Sequence, residues 1–373
     1  MSVPFSIQRS ELTLPQARCH HVAVTWNDAI IIWGGESPDN LDTRSNIYIY
    51  ESGEWSCKKT SGSVPWRSNY HQLVQVLYNK MLLIDNTDRC MGNTIIYSLD
   101  LKTWIWSAIS PRGQVPALLN YPYMGTWIHN GKMYCCGGDL YLSKPYQLFC
   151  YNPSSNSWEW PSTGEDNRLP FACKNSIISG DDVFIFGGSS VNDNELHILH
   201  MLTMRWEKVH GKILNGSVPT INWTYTLTRI SESAALLFGQ NRLTDNSDCW
   251  LLNLQNAKKL KKPSLIWSKI PNHFTRFGHA AVMDPVSLSL WVTGGHDNRR
   301  PRSDILKLSF NNSSLRNLAM DHAARNISST DPRLQPGQFP DELKKEIKEH
   351  RDNIENVYIC SADKGCAVCQ ERT

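Results

Sequence analysis

Short runs that are apolar throughout recur along this chain, and each closes on a glycine pair. "AIIIWGG" ends at Gly34 and Gly35, "MYCCGG" at Gly137 and Gly138, "VFIFGG" at Gly187 and Gly188, and "LWVTGG" at Gly294 and Gly295. Two degenerate copies fill the gaps. "MLLIDN" places Asp85 and Asn86 at the pair, and "ALLFGQ" places Gly239 and Gln240 there. The first members, at 34, 85, 137, 187, 239 and 294, are spaced by 51, 52, 50, 52 and 55 residues. A run with no polar position suits a strand buried on both faces. The glycines allow a bend, or a close approach by the next unit, that a side chain would block.

Further landmarks keep the same step. Trp55, Trp106, Trp158, Trp206 and Trp267 trail the pairs, and each suits a large apolar filler between neighbouring sheets. A branched apolar residue with proline then closes the unit, at Val64-Pro65, Val115-Pro116, Leu169-Pro170, Val218-Pro219 and Ile270-Pro271. Between pair and tryptophan lies an alternating stretch such as "NIYIY", "NTIIYSL" or "ELHILHM", the pattern of a half-buried strand. Ahead of the apolar run, "RCHHVAV", "SNYHQLV" and "TRFGHAAV" put an arginine or aromatic before a histidine. His20, His21, His71 and His279 therefore recur at matching positions, which predicts a structural role in each unit.

An apolar strand, a Gly-Gly pair and a spaced tryptophan resemble the kelch motif. The resemblance implies four-stranded blades of a β-propeller. Six registers imply six blades over residues 10–312, with "FSIQRSEL" near the N-terminus supplying a missing strand that closes the ring. The expected fold is all-β: a six-bladed kelch β-propeller followed by a short helical C-terminal tail.

Composition narrows the function. Of 373 residues, 40% are hydrophobic and 20% charged, so a full core can form. The net charge of +3 is too small to imply a nucleic-acid partner. Lys258, Lys259, Lys261 and Lys262, and Arg299, Arg300 and Arg302, read as short solvated loop clusters. No run of about eighteen apolar residues occurs, so no membrane span is expected. "MSVPFSIQRSELTLPQ" has no long apolar core, so no signal peptide is expected, and the 11 cysteines read as reduced thiols. These expectations place the protein in the cytosol or nucleus. No G-x-S-x-G, Walker A, G-x-G-x-x-G or E-x-x-x-D-x-x-x-H pattern is present. Neither bond chemistry nor a cofactor is expected, and a propeller without chemistry presents loops for recognition.

Beyond residue 312 the pattern changes. "SSLRNLAMDHAARNI" (313–327) carries Leu315, Leu318 and Met320 with small Ala319, Ala323 and Ala324, which predicts a closely packing helix. A Pro/Ser/Gly-rich loop follows, and then "QFPDELKKEIKEH" (338–350) sets Phe339, Leu343 and Ile347 on one helical face. Pro340, Asp341 and Glu342 suit its first turn. The helical tail is expected over 313–360, and a flexible Cys-containing end over 361–373. There Cys366 and Cys369 form a lone C-x-x-C that reads as free thiols. Periodicity alone leaves two uses open: packing on the propeller, or docking a partner.

A helical pair after a kelch propeller is similar to the kelch domain-containing protein 2 group, where a BC box recruits Elongin B and C and a cullin-2 box recruits a ubiquitin-ligase scaffold. By that resemblance Leu318, Ala319, Met320 and Ala324 occupy the BC-box region, and Phe339, Pro340, Leu343 and Ile347 the cullin-2 box. Ala324 stands near the place of the family's cysteine. Members of the group hold a substrate's C-terminal carboxylate with arginines on a loop after one Gly-Gly pair and a Ser-Trp on the next blade. Here Ser189 and Ser190 replace the arginines, and "INWTYT" places Trp223 and Tyr225 near the Ser-Trp. Substitute cations are Lys144, Arg242, Arg299 and Arg300. The resemblance implies a cullin-2–Elongin B/C substrate receptor that binds a short peptide, such as a C-terminal degron, at the propeller mouth. The alternative is a kelch scaffold in trafficking or the cytoskeleton.

Overall fold

The computed structural model describes residues 5–10, 15–38, 45–65, 73–85, 95–114, 125–137, 147–163, 175–186, 196–209, 219, 221–231, 233–241, 247–254, 267–270, 274–284, 286–287, 289–297 and 300–310. By contacts the chain divides into two units. One comprises Ser6–Ile230 and Ala234–Ser309, and holds the β-structure discussed below; the other comprises Met1–Phe5, Ser231–Ser233 and Phe310–Thr373, and lies almost wholly outside the described residues.

The strands follow the repeat. β1 (Phe5–Ser10) precedes the first blade, formed by β2 (Val22–Trp26), β3 (Ala29–Trp33), β4 (Asn46–Glu51) and β5 (Glu54–Lys59). β6 (Ser61–Gly62) leads to blade 2, with β7 (Leu73–Leu77), β8 (Lys80–Asp85), β9 (Ile95–Asp100) and β10 (Ile105–Ile109). Blade 3 has β11 (Gly125–His129), β12 (Lys132–Gly137), β13 (Gln147–Asn152) and β14 (Ser157–Glu159). Blade 4 has β15 (Ser176–Ser179), β16 (Asp182–Phe186), β17 (Leu196–His200) and β18 (Arg205–Val209). Blade 5 has β19 (Ile221–Ser231), β20 (Ala234–Asn241), β21 (Ser247–Asn253) and β22 (Trp267–Ile270). Blade 6 has β23 (Ala280–Met283), β24 (Leu290–Thr293) and β25 (Ile305–Phe310), and β1 completes it beside β25. The fold is a six-bladed β-propeller closed by the N-terminal strand, as the sequence led us to expect.

First strands of successive blades touch one another: β7 meets β2 and β11, β11 meets β15, and β2 meets β23. The apolar strands stand next to them, buried on both faces. In β3 the alternation sends Ala29, Ile31 and Trp33 into a cluster with blade 2 residues Met81, Leu83 and Trp106. Ile30 and Ile32 point the other way, toward Trp291 and Ile305 of blade 6. One strand thus serves two inter-blade cores, which is why it has no polar position. The spaced tryptophans lie on outer strands and reach back to the preceding blade. Trp106 lies 5.1 Å from Trp33, and Trp267 lies 5.0 Å from Phe186 between ring centroids.

The chain leaving a blade also covers the next blade's edge. Ser61 and Gly62 pair in parallel with Ile105 and Trp106 of β10. Arg112 bridges Ser157 of β14 in the same sense. Gly62 sits at φ +85, and a Cβ there would stand 2.3 Å from the Trp106 carbonyl oxygen. Covering an open edge removes a template for aggregation. The described cysteines, Cys19, Cys57, Cys135, Cys136, Cys150 and Cys249, form no disulfide among the described residues.

Candidate peptide-binding mouth

The loops that follow the Gly-Gly pairs and the segments that enter the first strands share one end of the propeller, because antiparallel strands alternate direction. That end is best described at the seam between blades 6 and 1. Val22 pairs with Trp33, and Ala280 with Thr293. By this register Arg18-Cys19-His20-His21 of blade 1 matches Arg276-Phe277-Gly278-His279 of blade 6. The bridges Cys19↔Glu36 and Phe277↔His296 are also equivalent.

Backbone bonds tie the two segments across the seam. The Arg18 N–H donates to the Arg302 carbonyl (3.1 Å), the His20 N–H to the Gly278 carbonyl (2.6 Å) and the Gly295 N–H to the Arg18 carbonyl (2.8 Å). His21 Nε2 lies 2.8 Å from Thr293 Oγ1, and His279 Nε2 lies 3.1 Å from Thr226 Oγ1. Here the glycines are required. Gly294 sits at φ +51, and a Cβ would stand 2.7 Å from the Arg18 carbonyl oxygen and 2.8 Å from the His21 ring. Burial, and after it the charges of Arg18, His279 and His20, holds His21 neutral well below the ordinary imidazole range.

Four arginines stand at this seam in different states. Arg276 donates from Nη2 to Asp304 Oδ2 at 2.6 Å, with both side chains buried. Arg302 lies 3.4 Å from Asp304 Oδ1 and 3.5 Å from Asp297 Oδ2. Arg18, only 1% exposed, donates to the Gly34 carbonyl at 3.0 Å and lies over the Tyr48 ring at 4.5 Å. Burial lowers its pKa, opposed by Tyr48. Arg300 is exposed on a tight turn: its N–H donates to Asp297 Oδ1 at 2.9 Å, and the Asp297 N–H donates to its carbonyl at 3.2 Å.

Of the residues expected to contact peptide, Arg300 is thus displayed at the mouth. Tyr225 on β19 is buried, its hydroxyl donating to the Phe186 carbonyl and its ring 6.2 Å from Phe186. Trp223 lies on β19, but its side chain is outside the described residues, as are Lys144, Arg242 and Arg299. The docking residues Leu318, Met320, Ala324, Phe339, Pro340, Leu343 and Ile347 also lie outside the described residues, as does the terminal cysteine cluster. Sequence reasoning passed over Arg18, Arg276 and Asp304. The arginine-before-histidine landmark pointed to the first two, but only strand register shows that Arg276 reaches Asp304 while Arg18 faces Asn46. Among the described residues no group of three or more His, Cys, Asp or Glu side chains could hold a metal ion, and no helix is long and apolar enough to cross a membrane.

Six four-stranded blades, with an R-x-x-H approach to the first strand in blades 1 and 6, define a kelch-type propeller, an architecture that presents loops for recognition. Residues 20–240 match the KLHDC2/KLHL20/DRC7 Kelch-repeats domain, which is more than half of the chain, and the chain belongs to that family. It is 25% identical over 296 residues to Kelch domain-containing protein 2 of Bos taurus, covering 68% of this chain and 71% of the relative. It is 24% identical over 322 residues to Kelch domain-containing protein 10 of Homo sapiens, covering 78% and 69%. Similarity to Acyl-CoA-binding domain-containing protein 5 of Arabidopsis thaliana is 25% over 287 residues, covering 72% of this chain but only 42% of that protein. Among solved structures, one described as "Structure of YjhT" matches with a TM-score of 0.53 at 14% identity, over 80% of this chain and 96% of that one, which speaks to the fold alone. The protein is a kelch propeller interaction module related to kelch domain-containing protein 2.

Proposed function

We propose that this protein is a substrate-recognition receptor of a cullin-2–Elongin B/C ubiquitin ligase, acting in the cytosol or nucleus. The propeller mouth binds a short peptide of the substrate, and the tail docks the ligase. The protein is a non-catalytic subunit: it positions a substrate, and the bond chemistry belongs to its partners. The observation that carries this reading is Phe339-Pro340-x-x-Leu343-x-x-x-Ile347, an ungapped cullin-box pattern whose Pro340 lies 21 residues beyond Ala319 of the BC-box region. Kinship with kelch domain-containing protein 2 supports it. So does the mouth, where Arg300 is exposed and two further arginines are tied to carboxylates.

The test is a pull-down of full-length protein from cells, blotted for Elongin C and cullin-2, beside the double variant Leu343→Asp/Ile347→Asp. Capture of both by the wild type, with cullin-2 lost in the variant, is expected. Absence of both from the wild-type capture would overturn the ligase reading and leave an interaction scaffold.

A further inference from the structure

Blades 1 and 6 are built on one plan, and blade 1 departs from blade 6 at the seam in two ways, in the surroundings of Arg18 and at His20. The first is Arg18. In blade 6 the matching Arg276 is neutralised by Asp304 at 2.6 Å. Thr293 pairs with Ile305 and Trp33 with Ile47, so the blade 1 counterpart of Asp304 is Asn46. In blade 5 the pairing of Phe238 with Cys249 puts Asp248 at the same place. Among the described residues no carboxylate pairs with Arg18, although it is 1% exposed. Its bonds go to the Gly34 and Gln16 carbonyls and to Gln16 Oε1. A buried cation without a counter-charge is unfavourable and favours any anion brought near it.

The second position is His20. Its blade 6 counterpart is Gly278, at φ +61. His20 adopts φ 56, a left-handed conformation that costs a side-chain-bearing residue free energy and that glycine adopts freely. Its ring lies against Gly278, where a Cβ would stand 2.9 Å from Cε1, and it is half-buried rather than enclosed. Strained residues of this kind concentrate at binding sites. Arg300, exposed on the turn next to Arg302, stands at the rim of the same seam.

We infer that the mouth end of the seam between blades 6 and 1 receives a carboxylate of an acidic peptide, with His20 as the contacting group and the uncompensated charge of Arg18 behind it. This rests on the mouth binding peptide, and it places the cation needed for a carboxylate away from the Ser189–Ser190 loop. The carboxylate comes either from a peptide C-terminus or from an Asp or Glu side chain.

The probe is a random decapeptide library presented to the full-length protein in three forms: free C-terminus, amidated C-terminus, and amidated without Asp or Glu. Two variants copy residues that blade 6 already uses, His20→Gly and Asn46→Asp, and circular dichroism melts verify that both fold. The wild type is expected to retain the first form, or the first two, over the third. Binding is expected to fall about tenfold or more in each variant, the scale of a lost hydrogen bond to a charged group. Retention of the first form alone identifies a C-terminal carboxylate, and retention of the first two a side-chain one. Capture of all three forms equally, or a preference that survives both variants, overturns the subsite and leaves the mouth reading intact. Capture of no peptide by the wild type overturns the mouth reading, and the subsite with it.

Discussion

Single residues at the seam are set by charge accounting. Arg276 and Asp304 are both nearly sealed from water, at 5% and 2% side-chain exposure, so neither can be removed alone cheaply. Asp304→Asn would leave Arg276 in the state that Arg18 occupies naturally. Breaking a buried pair from one side costs about 3–5 kcal/mol, and urea unfolding is expected to show a lowered midpoint at an unchanged m-value. An unshifted midpoint would mean that the backbone bonds of the seam carry the load. Histidines give the protein a pH profile with two opposed arms. Burial alone would lower His200, but Asp182 at 2.7 Å and Glu207 at 3.0 Å outweigh it and raise its pKa above 6.5. Its stabilising contribution is complete below that value and is lost as pH rises through the raised folded pKa. His21, held neutral, works oppositely: its destabilising effect grows as pH falls below 6.5, because the unfolded chain takes up the proton first. Melting temperature against pH is expected to decline on both sides of about 6.5. His200→Gln should flatten the alkaline arm and leave the acid arm in place.

Elements here are stabilised both by their own sheets and by what the neighbouring blade lays against them. Phe186 of β16 meets Trp267 of the following blade at 5.0 Å, with Tyr225 at 6.2 Å. β1 has the largest single task, since it is the fourth strand of blade 6 and arrives from the other end of the chain. Deleting residues 1–10 would leave β25 as an open edge and the ring unclosed. We expect the truncated chain to melt at lower temperature and to aggregate, because an unpaired strand edge is a pairing template. Light scattering during a thermal ramp reads both effects. A truncated chain that melts and scatters like the full-length protein would show that blade 6 is complete with three strands.

At the scale of the whole molecule, the seam between blades 6 and 1 is charged unevenly. The propeller was legible in the sequence because its period is one-dimensional: six registers, spaced by 50 to 55 residues, repeat the same strand and bend. The closing strand was legible from the same count, since blade 6 had only three strands of its own. The mouth was not. Lys144, Arg242, Arg299 and Arg300 could be picked as cations because charge is a property of a residue alone. The state of Arg18 could not, because it depends on register and on what faces it. His21 and Thr293 touch although they are 272 residues apart, and no spacing rule spans that distance. The sequence by itself therefore determined the number of blades, the two-faced burial of the Gly-Gly strands and the strand that shuts the ring, all of which follow from local periodicity and chain order. Only the tertiary structure decided which arginine has a carboxylate and which has none among the described residues, and that a histidine takes a glycine's conformation at the seam. Those states arise where the first and last blades meet, and the free energy of a buried charge is fixed by its neighbours in space.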